Sequence, residues 1–254
     1  MVRDPRDAIS RLRNGWRYGD AMLRPKAIIL AAGSGSRLGE TYPKPLTRLA
    51  DGTNILGRQI EALCKYIDKH DIYVVVGFKK EMIMEELPTL TFVYNERYHV
   101  TNTCKSLLAG LRKVRGNDVI WLNGDVVFEH SVIPRIVGFR GSCMGVNRAQ
   151  VGEEAVKYRL REDGSIEEVS KEVKNPLGEA LGINKIMAEH VDTLIARLED
   201  CKDSDYFERG MERAIKDGLK IHPVDLSDLA CIEVDDSDDL ADANRLIEQN
   251  RLDR

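Results

Sequence analysis

Aromatic side chains make up only 6% of this 254-residue chain, and no apolar run approaches the ~18–20 consecutive residues that a membrane helix needs. The first scarcity leaves few rings to build an aromatic cage for a ligand, and the second excludes insertion into a membrane as a helix. The opening stretch MVRDPRDAISRLRNGWRYGD has no apolar signal segment, so a cytoplasmic location is expected. Positive charge is not in excess either: the net charge is −4, with 31% charged residues, which excludes the basic footprint of a nucleic-acid reader. An anionic substrate must therefore be met by a few local cations. The cysteines (Cys64, Cys104, Cys143, Cys201, Cys231) lie far apart with no C-x-x-C pair, which argues against a disulfide framework or a zinc site. The histidines (His70, His99, His130, His190, His222) have no ligand spacing, and no nucleophile elbow is present, so neither metal-histidine nor acyl-enzyme chemistry is indicated.

At 43% apolar, the chain can bury one substantial core. Residues 1–24 read as an N-terminal extension and 25–254 as a single domain. From Lys26, short Val/Ile-rich runs alternate with segments of helical period: KAIILAA, NILGRQIEALCKYI, DIYVVVG, KEMIMEEL, LTFVYN, TCKSLLAGLRKV and DVIWLNGD. Such alternation predicts a mostly parallel sheet covered on both faces. The second half changes texture. GSCMGVNRA, AVKYRLREDGSIEEVSKE and GEALGINKIMA read as strands of an antiparallel insertion, with a hairpin turn at Asp163-Gly164. Helical patterns over 188–200 and 205–217 follow, then the strand-like LKIHPVDL and LACIEVD, and a closing helix over 237–250 with Ser237 as N-cap.

The first strand runs directly into AAGSGSRLGETYPKPL (31–46). Glycines at that place let backbone N–H groups approach phosphates. The spacing is not that of a P-loop, and Pro43 and Pro45 forbid the helix that a G-x-G-x-x-G dinucleotide loop would open. What remains is a long extended loop able to wrap a triphosphate, with Arg37 inside it and Lys44 presented between two prolines. A guanidinium suits bidentate phosphate binding and an ammonium acts as a mobile point charge. An ordinary Gly/Ser turn with surface cations is the bland alternative.

A triphosphate reacting at its α-phosphorus needs a divalent cation, and Mg²⁺ favours carboxylates at the C-terminal ends of parallel strands. Two places qualify. Asn123-Gly124-Asp125 ends a strand, where Asp125 is otherwise a turn-capping acid. Glu233-Val234-Asp235 ends another, with period-2 alternation aiming both acids to one side. Asn102 and Ser106 lie four apart across a helix start; a capping Asn and a helix-surface Ser compete evenly with a role near the nucleotide.

Ala31-Ala32-Gly33-Ser34-Gly35-Ser36-Arg37-Leu38 followed by Pro43-Lys44-Pro45-Leu46 resembles the signature of the nucleoside-triphosphate transferase family. The resemblance implies a Rossmann-like three-layer α/β/α fold of the glycosyltransferase-A-like kind, with a mostly parallel mixed sheet. It also implies that Ala31 to Ser36 hold the nucleotide, with Ala32 and Gly33 against the base, and that Arg37 and Lys44 serve the phosphates. Asp125, Glu233 and Asp235 match the positions that hold the metal, and Lys171 matches a lysine that reaches phosphate. The similarity runs from Lys26 to Leu246. Segments 94–107, 121–128, 170–173, 178–186 and 231–240 look like the phosphocholine cytidylyltransferase branch, with inositol-phosphate and phosphonate cytidylyltransferases nearby. The implied partners are CTP and a small phosphorylated or phosphonate acceptor, phosphocholine-like first; homo-oligomerisation stays open. A choline head would want an aromatic cage and an acid, for which Tyr158, Tyr206, Phe207 and Glu208 are the candidates, Trp121 being placed in the core. Two other readings stand: a sugar-1-phosphate nucleotidyltransferase using UTP or dTTP, and a catalytically silent nucleotide-binding regulatory subunit.

Overall fold

The computed structural model describes residues 25–33, 42–149 and 151–253; residues 34–41, which carry Ser34, Gly35, Ser36 and Arg37, lie outside the described residues, as does the 1–24 segment. The strand-rich sequence builds a main sheet with spatial order β10-β6-β9-β4-β1-β2-β3. These strands are β1 (Lys26–Ala31), β2 (Ile72–Val76), β3 (Thr91–Tyr94), β4 (Val119–Asn123), β6 (Cys143–Asn147), β9 (Gly178–Ile186) and β10 (His222–Asp225). Strand β9 runs antiparallel to both β4 and β6, and every other pairing along this path is parallel. The mostly parallel mixed sheet is thus as expected.

The expected antiparallel insertion is the hairpin β7 (Lys157–Leu160) and β8 (Ile166–Ser170), with β7 also pairing β9. Its turn is set where the sequence places it: Asp163 Oδ1 accepts from the Ser165 amide, and Gly164 has φ +78°, a conformation that glycine adopts without steric cost. A second, two-stranded sheet pairs β5 (Val126–Phe128) with β11 (Cys231–Glu233).

Period-2 alternation in β1 sends Ile28 and Leu30 to one face, and Ala27, Ile29 and Ala31 to the other. The first face is covered by α3 (Thr103–Leu111), α5 (Ala188–Glu199) and α6 (Phe207–Lys216); the second by α1 (Ile55–Cys64) and α4 (Val132–Gly138). Three layers result. Each large apolar side chain buried between them contributes about 1.5–3 kcal/mol, and Trp121 is fully buried, in the core as expected. The remaining α-helices among the described residues are α2 (Lys80–Glu86) and α7 (Ser237–Glu248).

Two local expectations need correction. The cap of α7 is Asp236, whose carboxylate accepts from the amides of Asp238 and Asp239, while Ser237 is already the first helical residue. Asp239 returns the bond to the Asp236 amide, closing a capping box. Strand β5 and helix α4 have no counterpart in the sequence reading, because Pro134 and Gly138 dilute the helical signal and three residues are too few for a period.

Candidate active site

The turn that follows β4 carries Asp125 to the mouth of a cleft of about 540 Å³. Gly124 is required there by space: a Cβ would lie 2.7 Å from the Leu30 carbonyl oxygen and 3.2 Å from Pro45. The turn is braced from below by Gln59 of α1, whose Nε2 donates to the carbonyls of Asn123 and Val126, both at 2.8 Å. From the side, the Val234 amide donates to the Asp125 carbonyl at 2.9 Å, tying the end of β11 to the same turn. Asp235, just past β11, is oriented through its own amide, which donates to Asp239 in the α7 capping box.

These ties converge three carboxyl groups. Ligand oxygens of Asp125, Glu233 and Asp235 lie within 4.8 Å of one another. Lys44, at the start of a single 3-10 turn between two prolines, places Nζ 2.8 Å from Asp125 and 2.6 Å from Asp235. Burial works against its charge, but Asp125 and Asp235 outweigh that and hold its pKa above the ordinary lysine value. Glu233 keeps contact with solvent along the cleft, yet protein crowds its carboxyl group; burial first, then the charges of Asp125 and Asp235, push its pKa up to about 8. Asp125 Oδ1 is buried without a hydrogen-bond partner among the described residues. An all-carboxylate donor set holding an orphaned buried oxygen fits a hard divalent cation such as Mg²⁺.

On the β1 side, Ala31 and Gly33 line the same cleft. A smaller recess of about 70 Å³ opens beside it between Ala32, Gly33, Asn102 and Ser106. Asn102 is the α3 cap, accepting from the Thr103 amide at 2.8 Å, and Ser106 is buried, accepting from Asn95 Nδ2 at 3.1 Å. Asn102 thus both caps α3 and lines a recess with Ala32 and Gly33.

A second part of the cleft lining comes from the insertion and the start of α6. Lys171, after β8, sits 3.4 Å from Glu154 and 5.4 Å from the centre of the Tyr206 ring. Tyr206 is half exposed, whereas Phe207 is buried edge-on against Trp121 with ring centres 5.8 Å apart. Tyr158 is fully buried and does not line the cleft, which removes it from the cage candidates. Gln59 is the residue that sequence reasoning missed. Its signal was a polar side chain at the i+3 position of the apolar stripe Leu56, Ile60, Leu63.

The family model of the MobA-like NTP transferase domain matches residues 27–167, a span that includes Lys44, the Asp125 turn and the first strand of the insertion hairpin. The chain belongs to the MobA-like NTP transferase domain family. Among curated relatives of this NTP transferase chain, Bifunctional protein GlmU of Methanococcus maripaludis is 39% identical over 116 residues, 42% of this chain and 26% of that protein. CMP-5'-(3-aminopropyl)phosphonate synthase of Streptomyces rubellomurinus is 38% identical over 120 residues, 44% of this chain and 19% of that protein. The chain thus spans about a quarter or less of the length of these relatives. The fold is shared with the inositol-1-phosphate CTP transferase of T. maritima, at a TM-score of 0.74 and 20% identity over 89% of this chain and 96% of that one. It is shared equally with a CTP:phosphocholine cytidylyltransferase from Streptococcus pneumoniae, at 0.71 and 19% over 89% and 100%.

Proposed function

We propose that this NTP transferase moves CMP from CTP onto a small phosphorylated or phosphonate acceptor and releases pyrophosphate. The observation that carries this reading is the convergence of Lys44, Asp125, Glu233 and Asp235 in one cleft that Ala31 and Gly33 also line. The choice of CTP is supported by the relative named for a CMP-phosphonate product and by the CTP-using proteins that share the fold. The phosphocholine-like ranking of the acceptor rests on the sequence resemblance alone.

In the mechanism, an acceptor oxygen attacks the α-phosphorus in line, the new P–O bond forms, and the bond to pyrophosphate breaks. The chain's part is positioning and charge neutralisation. Asp125, Glu233 and Asp235 would hold Mg²⁺, which when bound supplies Lewis-acid charge to the phosphate oxygens. Lys44 offers an ammonium already inside the cleft to the triphosphate. Arg37 adds a bidentate donor from the loop. Lys171, which lines the same cleft, would receive the acceptor's dianion. That dianion is ionised at neutral pH, so attack needs no general base.

A matrix of CTP, UTP, dTTP, ATP and GTP against phosphoalcohols, phosphonates and sugar 1-phosphates, read by pyrophosphate release, tests the reading. CTP with a phosphoalcohol or phosphonate is the expected pair. Turnover confined to UTP or dTTP with a sugar 1-phosphate would replace it by the sugar-nucleotide reading, and binding without pyrophosphate from any pair by the regulatory one.

A further inference from the structure

Glu208 stands at the first turn of α6, on the acceptor wall, and the packing of that helix gives no reason for an acid there. Phe207, Met211, Ala214 and Ile215 fill the core from the same helix. Glu208 is only 8% exposed and lines the cleft, and its Oε2 has no hydrogen-bond partner among the described residues. An unpaired buried oxygen costs about 1–3 kcal/mol, more when charged, so its retention calls for a donor that arrives from outside the fold. Burial pushes its pKa up to about 7, against the opposing pull of its own backbone amide and of Lys171. Glu208 is also close enough to Glu233 for the two carboxyl groups to repel. Both acids line the same cleft.

Its surroundings are arranged about a positive charge. The Tyr206 ring, immediately before α6, carries the Lys171 ammonium on its face at 5.4 Å, and the same ammonium pairs with Glu154. Lys171 thus rests on a cation seat made of a ring face and acids. Its long stem lets it turn to the acceptor's dianion and leave the ring face to a cation on the acceptor itself.

We propose that Glu208 is the specificity-determining residue of the acceptor site, taking an N–H from the terminal primary ammonium of a short aminoalkyl phosphate or phosphonate. The ring face alone would accept a quaternary ammonium as well, but that group has no N–H and leaves Oε2 unpartnered. Oε2 is itself buried in this conformation, so the contact requires a rotation about the terminal torsion of Glu208, which is broad in glutamate. A hydroxyl in place of the ammonium gives a hydrogen bond without the charge. This inference rests on the nucleotidyl-transfer reading for its kinetic arm and is independent of it for its binding arm.

The test compares 2-aminoethylphosphonate with the near-isosteric 2-hydroxyethylphosphonate and with phosphocholine, in the full chain with CTP and Mg²⁺. The expected result is a kcat/KM at least about tenfold higher for the amino acceptor than for either other, because a site built for a donor rejects analogues that lack it. Glu208→Gln, which keeps shape and removes the charge, brings the amino-to-hydroxyl ratio to within about threefold of one. In parallel, calorimetry measures binding of the two phosphonates to the wild-type chain with CMP present, which needs no turnover. An unchanged ratio in E208Q, a wild-type preference for the hydroxyl or quaternary acceptor, or equal calorimetric affinities would each overturn the proposal. Absence of turnover combined with tighter binding of the amino ligand would sink the transfer reading and leave the assignment of Glu208 intact.

Discussion

The two walls of the cleft are built differently. On the Lys44 side, the backbone that carries Asp125, Asp235 and Lys44 is held in place by neighbouring residues. Gln59 and the Val234 amide hold the Asp125 turn, the α7 capping box orients Asp235, and two prolines flank Lys44. On the acceptor side, Lys171 touches Glu154 and Tyr206 through a long side chain that is 41% exposed, and Glu208 has an oxygen with no described partner. The first wall is over-determined and set before any ligand arrives, as electrostatic preorganisation requires. The second is completed by what it binds. Chemistry common to a family belongs on the first kind of wall, and discrimination among acceptors on the second.

Breaking the rigid wall has the largest expected effect. Asp125→Asn keeps the size of the side chain and should retain the fold by thermal melting, while turnover falls about a thousandfold with loss of a ligand charge. Near wild-type turnover at saturating Mg²⁺ would remove Asp125 from the metal set. Lys44→Ala should lower kcat by about a hundredfold or more, because the phosphates lose a cation that is largely buried and fixed between two acids. A changed melting temperature with unchanged kcat would make Lys44 a structural counter-ion of Asp125 and Asp235.

Gln59→Leu sharpens the comparison, since it touches neither substrate. It leaves the Asn123 and Val126 carbonyls without their donor, at a cost of about 1–3 kcal/mol in stability. Turnover should fall about tenfold with little change in acceptor KM, because the Asp125 turn loosens; an unchanged kcat would show that the Val234 tie suffices. The last effect falls on binding instead of turnover and belongs to the adaptable wall. Lys171→Ala should raise acceptor KM about tenfold and leave the CTP KM unchanged. A larger loss in kcat than in acceptor KM would place Lys171 at the transferring phosphate instead.

The same contrast explains what the sequence made legible. The rigid wall is written in local signals: a hydrophobic strand running into glycines, Pro-Lys-Pro, and acids at strand ends. Period-2 alternation brought Glu233 and Asp235 together on paper. In the structure, β11 stops at Glu233, and Asp235 joins through the helix cap that follows. The sheet was legible because β1, β2 and β4 are continuous Val/Ile runs, while β5 and the Pro-containing α4 gave no period to read. Gln59 was hidden because its partners are backbone carbonyls 64 and 67 residues away, which no pattern along the chain reveals. Tyr158 and Tyr206 look equivalent as letters. Only packing separates a fully buried β7 ring from the half-exposed one before α6.

The central claim is that this cleft transfers a nucleoside monophosphate rather than hydrolysing the triphosphate or passing on its γ-phosphate. Incubation with CTP labelled with ³²P at the α-position and an aminoalkylphosphonate, followed by separation of the products, measures this directly. The account predicts that the label moves into a CMP–acceptor anhydride, joined by a new P–O–P linkage, in step with pyrophosphate, and that Asp125→Asn lowers both about a thousandfold. Label recovered as free CMP, or a γ-label recovered on the acceptor, would contradict it.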